Sequence, residues 1–477
     1  MLRATPARSA AVPRNLGHIR TLADQALSRA AGAPLIGGNR VKLLRDAAEN
    51  YPAWARAIID ARQSIHVEMY IIHRDEVGRR FVELLATRAR AGVKVRLVYD
   101  WFGCGFAPLF GLFKPIIQAG GEVRVFNRPS LAPIVGWARR NHRKLIAVDG
   151  RLAYISGLCI GREWQGQPDR NIAPWRDTGV EIAGPAVAEA EEAFAESWRL
   201  AGGTIDEPAV TPDQIAPAGQ TNLRLIATSP YAGNVLKLDL LVTAMARRTL
   251  WITDAYFIGH GLYLEALRSA ARDKVDVRLL LPQGSDIGWT VPLSRTLYRS
   301  LLEAGVRIFE WNGTMVHAKT AVADRMWARV GSSNLNITSW LGNWELDVAV
   351  EDATFGEQMA AQFEQDLKQS TEIVLHQWRR RTPQPVHATV RAQRSARRVV
   401  RTVTGVGRSL GAAVTGSRPL DDFEIGPLAA VGVFLSAVAL GVFWVPEVLA
   451  WSVAIVAGWT GVGFLYEAFN LWWARRR

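Results

Sequence analysis

The chain has 477 residues, with 57 Lys and Arg against 44 Asp and Glu, a formal net charge of +13 and an isoelectric point near 10.1. That length exceeds one typical domain, and the basic balance implies an anionic partner, either nucleic acid or an acidic membrane surface. The only cysteines are Cys104 and Cys159, which excludes a disulfide framework and suits a reducing compartment.

Residues 1–37 form a basic, Ala-rich arm nearly free of acids, without the apolar core of a secretory signal. Within it, 22–31 reads as a short amphipathic helix lying on a membrane or as a disordered arm. From residue 38 the chain is globular. Helical spacing over 52–62 places Trp54, Ile58 and Ile59 on one side. A strand at 65–72, a helix at 81–91 and a strand at 93–99 make a βαβ unit, which predicts a largely parallel sheet covered by helices. Phe102, Phe106, Phe110 and Phe113 then crowd the stretch 101–113, where they either line an apolar channel, dip into lipid or pack a core. Arg128, Arg139, Arg140 and Arg143 follow, a set that suits a phosphoglycerol headgroup or simply a solvated loop. This first unit spans 38–200, a Gly-, Pro- and Thr-rich linker spans 201–220, and a second unit spans 221–376. The second repeats the pattern, with strands at 250–257, 275–281 and 305–309 and a helix at 262–272.

Each unit carries one copy of a short string: His142-Arg143-Lys144 with Asp149 five residues on, and His317-Ala318-Lys319 with Asp324 five residues on. The chain holds 8 His and 8 Lys against 49 Arg. Chance would place only about 0.1 His-x-Lys triplets in a chain of that composition, and it has two. In an extended strand, residues two apart project to one side, so each string presents an imidazole beside a fixed ammonium charge. Two such strands facing each other would surround one phosphodiester with a nucleophile, an acid and two cations. Small-residue turns follow each Asp, Ser156-Gly157 in the first copy and Gly331-Ser332-Ser333-Asn334 in the second.

The C-terminal fifth is different in kind. Residues 377–424 are a basic amphipathic linker suited to anionic lipid, and 425–477 read as a transmembrane hairpin with a basic tail. Its two uncharged runs, 426–445 and 448–466, are 20 and 19 residues long and broken only by Pro446-Glu447. Arginines flank both ends, which places the catalytic body on the cytoplasmic side; a re-entrant or peripheral hairpin is the alternative.

The duplicated string resembles the motif of the phospholipase D superfamily. Gly38-Asn39-Arg40-Val41, Trp175-Arg176-Asp177 with Gly184-Pro185-Ala186, Gly331-Ser332-Ser333-Asn334-Leu335 and Asn343-Trp344-Glu345 are similar to the bacterial cardiolipin synthase branch, over roughly residues 36–375. The resemblance implies an α/β fold of two pseudo-twofold-related phospholipase D-like sandwich domains with the site at their seam. It also implies catalytic roles for His142, Lys144, His317 and Lys319. In the family a carboxylate some way after each catalytic His orients that ring, and Asp177 and Glu345 match those positions; Asp149 and Asp324 match its structural Asp. Asn334, Ser332, Ser156 and Arg143 are the substrate-binding candidates. Cys159 departs from the family, standing where the first copy should have its Asn.

Neither a metal nor a cofactor is expected. The implied activity is a cardiolipin synthase at a bacterial inner membrane. It transfers a phosphatidyl group between two phosphatidylglycerol molecules through a phosphohistidine, with phosphatidylglycerol and anionic lipid as partners and no nucleic acid. A phospholipase D or transphosphatidylase with another acceptor has the same motifs; a nuclease or a non-catalytic lipid-binding scaffold is the further alternative. Oligomeric state is not legible.

Overall fold

The structure is a computed structural model that describes residues 14–128 and 139–375, with side chains from residue 20. Its strands form one fifteen-stranded sheet. From one edge to the middle these are Ser370–Ile373, Arg307–Trp311, Asp276–Pro282, Thr249–Thr253, Thr320–Ala323, Trp327–Gly331, Glu345–Glu351 and Thr221–Thr228. Across the seam follow Ile36–Arg45, Thr178–Ala183, Leu152–Ser156, Lys144–Val148, Ser64–Met69, Lys94–Asp100 and Glu122–Phe126. Read outward from the seam, each half lays down corresponding strands in the same order, with Ser370–Ile373 added at one edge.

The expectation of a largely parallel sheet is corrected. Parallel pairing is confined to the outer strands of each half, where Ser64–Met69, Lys94–Asp100 and Glu122–Phe126 run together, as do Thr249–Thr253, Asp276–Pro282 and Arg307–Trp311. These are the βαβ units. The motif strands are hairpins instead, Lys144–Val148 with Leu152–Ser156 and Thr320–Ala323 with Trp327–Gly331, and each lies antiparallel against the first strand of its βαβ unit. A hairpin needs only a tight turn, whereas a parallel neighbour needs a crossover, so the short spacing after each motif dictates antiparallel pairing. Asp149-Gly150 and Asp324-Arg325 supply those turns with φ of 54°, 60°, 50° and 58°.

Helices cover the faces for the reasons their sequences give. Glu76–Arg90 starts where the Asp75 carboxylate accepts from the Gly78 amide (2.9 Å), buries Phe81, Val82 and Leu85, and is followed by Gly92 at φ 85°. Val187–Leu200 and Ala353–Leu367 close over the seam, and their Phe194, Trp198, Phe355 and Phe363 share one core with strands from both halves. The N-terminal segment is neither a membrane-lying helix nor a disordered arm between Arg14 and Ala31. It is a helix whose Leu27 and Ala31 are buried in the core of the second half beside Val235 and Leu238. Among the described residues no helix is long and apolar enough to cross a membrane. The expected linker 377–424 and the runs 426–445 and 448–466 lie outside the described residues.

Candidate active site

Each motif histidine is tied twice to the opposite half. The His142 amide donates to the Trp344 carbonyl (2.8 Å), and the His317 amide donates to the Arg176 carbonyl (2.7 Å). Those two carbonyls immediately precede Glu345 and Asp177, so each tie carries a carboxylate to the ring. His142 Nδ1 lies 2.8 Å from Glu345 Oε2, and His317 Nδ1 lies 2.6 Å from Asp177 Oδ2. The pairing expected within each copy is therefore corrected: it is crossed. A carboxylate on Nδ1 fixes the tautomer that leaves Nε2 with its lone pair, as an attacking or proton-accepting atom requires.

The two carboxylates are held by different donors. In the second half the Ser332 hydroxyl donates to Glu345 Oε2 (2.6 Å), and Asn343 Nδ2 donates to Oε1 (3.2 Å). In the first half Gly157 stands at the equivalent position, where an added Cβ would meet Asp177 Oδ1 at 2.2 Å. Asp177 takes the Trp164 indole N–H (3.2 Å) and the Thr178 amide (2.8 Å) instead. The lysines are buried and donate to the carbonyls of their own histidines, Lys144 to His142 (2.6 Å) and Lys319 to His317. Each ammonium also sits over a tyrosine ring, Lys144 5.2 Å from Tyr70 and Lys319 5.6 Å from Tyr256. Those tyrosines were missed in the sequence, although a second repeat marks them: Glu68-Met69-Tyr70-Ile71-Ile72 matches Asp254-Ala255-Tyr256-Phe257-Ile258.

The motif aspartates lie away from the rings. Asp149 accepts from the amides of Arg62, Gln63 and Ser64 at 2.7 to 2.9 Å, and Asp324 accepts from Arg247, Arg248 and Thr249 over the same range. Both clamp the start of the neighbouring strand.

His142, Lys144 and His317 line one cavity of about 760 Å³, together with Tyr70, Tyr256, Trp164, Trp175, Cys159 and Asn334. Of the four substrate-binding candidates only Asn334 reaches it, and its Oδ1 has no hydrogen-bond partner among the described residues. The other three are corrected. Arg143, on the opposite side of the strand from His142 and Lys144, is fully buried and bonds the Ala193 carbonyl (2.8 Å), Glu196 (2.7 Å) and the Glu345 carbonyl (3.2 Å). Ser156 donates to the Leu158 carbonyl (3.3 Å), and the Ser332 hydroxyl is taken by Glu345. Cys159 does occupy the place of Asn334 in the first half, and burial pushes its thiol up, which opposes a nucleophilic role.

Burial lowers both imidazoles, His317 to about 4, and the lysine charges add to the effect. Lys319 is itself lowered to about 8 by burial. Burial alone would raise Glu345 and Asp177, but in the acid range where they would titrate the facing histidine, protonated there, and the lysine more than offset it and hold both carboxyls low. The free site thus holds ionised carboxylates and neutral rings at neutral pH. An arriving phosphodiester anion supplies the charge that lets one ring take up a proton.

One group at the cavity edge has metal-capable atoms within 4.8 Å of one another, His73, Asp75 and Glu163. Asp75 already accepts from the Gly78 and Arg162 amides, Glu163 faces His73 at 2.9 Å, and the Arg162 guanidinium lies 3.7 Å from Asp75. A resident guanidinium disfavours a cation there.

A duplicated α/β unit with two facing His-x-Lys strings, each ring backed by a buried carboxylate, defines a phospholipase D-like protein. The family model described as "Cardiolipin synthase, PLD-like domain" matches residues 55–198 and 242–367, and the chain belongs to that family. It is 34% identical to cardiolipin synthase A of Pseudomonas aeruginosa over 388 residues, 80% of this chain and 76% of that one. It is 30% identical to cardiolipin synthase of Halalkalibacterium halodurans over 378 residues, 77% and 74% of the two chains. Among solved structures, the phosphatidylserine synthase of Haemophilus influenzae Rd KW20 superposes with a TM-score of 0.56 at 12% identity, covering 74% of this chain and 92% of that one, a likeness of fold.

Proposed function

We propose that this chain is a cardiolipin synthase that moves a phosphatidyl group from one phosphatidylglycerol to another. The observation that carries the reading is the crossed pair of carboxylate-backed imidazoles opening into one cavity, in a chain whose relatives bear that name. In the reaction His142 Nε2 attacks the donor phosphorus, and the P–O bond to glycerol breaks as His317 protonates the leaving oxygen. The same His317 then takes the proton from a hydroxyl of the second phosphatidylglycerol, whose oxygen attacks phosphorus and releases His142. Lys144 and Lys319 oppose the charge that grows on the phosphoryl oxygens. Assigning attack to His142 follows the family resemblance, because the two rings are nearly symmetric.

The mouth of the cavity supports a membrane as the source of both lipids. Phe102, Phe106, Leu109 and Phe110 from the first half and Trp289 and Ile337 from the second are exposed, while Phe113 is buried. Phe102, Trp289 and Ile337 also line the cavity, so apolar surface runs from solvent into the site. Arg74 lies 5.6 Å from the Phe110 ring and Arg139 4.5 Å from the Tyr231 ring, an arginine and aromatic mixture suited to an anionic lipid interface. In this reading 38–200 and 221–376 act as the two catalytic halves, and the hairpin in 425–477 anchors them on the cytoplasmic face of a bacterial inner membrane.

The test is the purified full chain with phosphatidylglycerol vesicles, scored for cardiolipin and glycerol against phosphatidic acid. Cardiolipin with equimolar glycerol, lost in His142→Asn and His317→Asn, is the expected result. Phosphatidic acid as the sole product, or turnover that survives both substitutions, would refute the reading.

A further inference from the structure

The geometry points to a second phosphate seat in the cavity, built on Arg140, which holds the phosphate of the acceptor lipid. The inference rests on the transfer reaction proposed above. That reaction brings two phosphodiesters into one cavity, and it commits the imidazoles and lysines to the one being cleaved. A second anion beside them needs a cation of its own. Apart from Lys144 and the histidines, Arg140 is the only basic residue lining the cavity among the described residues.

Its side chain is buried and held in place. Nη1 donates to Asp100 Oδ1 (3.3 Å), and the guanidinium stacks 5.7 Å from the Phe102 ring. Asp100 also accepts from the amides of Phe102, Gly103 and Asn141. Its charge is therefore shared among four donors, and it orients the guanidinium without saturating it. Nη2 is buried and has no hydrogen-bond partner among the described residues. A buried, unpaired guanidinium N–H is costly to keep unless something that enters the cavity accepts from it.

The spacing also fits. Trp344 bridges Asn141, donating to the Arg140 carbonyl (2.9 Å) and accepting from the His142 amide (2.8 Å), so 140–142 is extended and Arg140 and His142 share a side. Alternate residues of an extended segment lie about 7 Å apart. That is the scale on which a three-carbon glycerol bridge separates the two phosphates of the product. The twofold-related position is Met315, whose carbonyl makes the matching bond to the Arg176 amide but whose side chain carries no charge. The seat is thus one-sided, and it breaks the symmetry of the two halves.

The experiment compares two soluble acceptors in the full chain with phosphatidylglycerol as donor: labelled glycerol, read as exchange into phosphatidylglycerol, and glycerol phosphate, which adds only the phosphate. Both use the same histidines and the same first step. The wild-type chain should use glycerol phosphate at a KM at least about tenfold below that of glycerol, the scale of one charge-assisted contact. Arg140→Gln should remove that preference while glycerol exchange stays within about twofold, and Arg140→Lys should retain part of it. An unchanged preference in Arg140→Gln would overturn the seat. So would an equal fall with both acceptors, which would mark Arg140 as a positioning residue for the adjoining His142. If the wild-type chain exchanges glycerol but makes no cardiolipin in vesicles, the proposed function fails in that arm alone.

Discussion

Glu345 belongs to the second half of the chain, yet its carboxylate lies 2.8 Å from Nδ1 of His142 in the first, while Asp177 of the first half serves His317 of the second at 2.6 Å. Neither half can orient its own imidazole. The crossing fixes which substitutions should resemble each other. Asp177→Asn should behave like a defect in His317, so that with a donor whose leaving group, such as p-nitrophenolate, needs no protonation the phosphatidyl-histidine forms and then persists. Glu345→Gln should slow its formation. Each should lower turnover by about 10² to 10⁴, the range for losing the orienting acid of a triad. Rapid-quench labelling with phosphorus-labelled donor separates them; the opposite assignment would mean the pairing is within each copy.

Burial and the Lys319 charge hold His317 near a pKa of about 4, below the ordinary imidazole value of 6.5. The unfolded chain therefore binds the proton more readily, and this residue makes stability fall as pH drops from about 6.5 to about 4. Lys319→Met removes a neighbouring positive charge, so the His317 titration should move up, read by ¹³C-histidine NMR. Lys319 is itself lowered to about 8 by burial, which means the fold disfavours its charge. The same substitution should then leave stability unchanged or raise it by about 1–2 kcal/mol while abolishing turnover. A large loss of stability would show that the ammonium supports the fold.

Asp149 and Asp324 make three amide contacts each and no contact with the motif rings, so their loss should unfold the protein more than it slows it. Asp149→Ala is expected to cost about 1–3 kcal/mol in denaturant titration, with turnover per folded molecule kept. Burial raises the Asp149 carboxyl, but the three amides more than offset this and leave it below the ordinary value. Its contribution is thus present above the unfolded pKa near 3.8 and is lost as pH falls through the folded value. A fall in turnover without a fall in stability would place this carboxylate in the chemistry.

Cys159 takes the position that Asn334 holds in the other half, and burial raises its thiol. Cys159→Ala should keep turnover within about threefold, whereas Asn334→Ala, which removes an acceptor facing the cavity, should lose at least tenfold. Equal effects would mean that the two half-sites hold substrate alike.

The catalytic strings were legible because their chemistry is local: an imidazole and an ammonium two residues apart need only one extended segment. The βαβ strands were legible from alternating segments rich in β-branched residues, such as Ile65-His66-Val67-Glu68-Met69. What escaped depends on distant partners. The family resemblance implied that Asp177 serves His142, but the backbone bridges from Arg176 to Val316 and from Asn141 to Trp344 exchange the carboxylates between halves. The seam strands Ile36–Arg45 and Thr221–Thr228 are interrupted by Gly37, Gly38, Arg40, Lys42 and Arg224, and no apolar run longer than Leu225-Ile226-Ala227 marks them. Arg143 looked like a headgroup ligand because composition cannot say which side of a strand faces a cavity. Strand alternation from His142 already pointed it away.

Phe106, Leu109 and Phe110 are 74%, 79% and 67% exposed and do not line the cavity, so they can be changed without touching the site. An apolar group kept in water beside a cavity for lipid gains by entering a bilayer, and the nearby arginines add attraction to anionic headgroups. The triple change of these residues to Asp should weaken turnover on phosphatidylglycerol vesicles by at least about tenfold, since it removes buried area and adds repulsion. Turnover of monomeric short-chain phosphatidylglycerol should stay within about twofold. Local insertion can be read without catalysis by placing a fluorophore on Leu109→Cys and on Ile59→Cys, an exposed site in the helix Asp46–Asp60, and adding spin-labelled lipid. Quenching at 109 and not at 59 is the expected pattern. Equal quenching at both, or equal losses on vesicles and on monomeric lipid, would mean that this apolar surface does not meet the membrane.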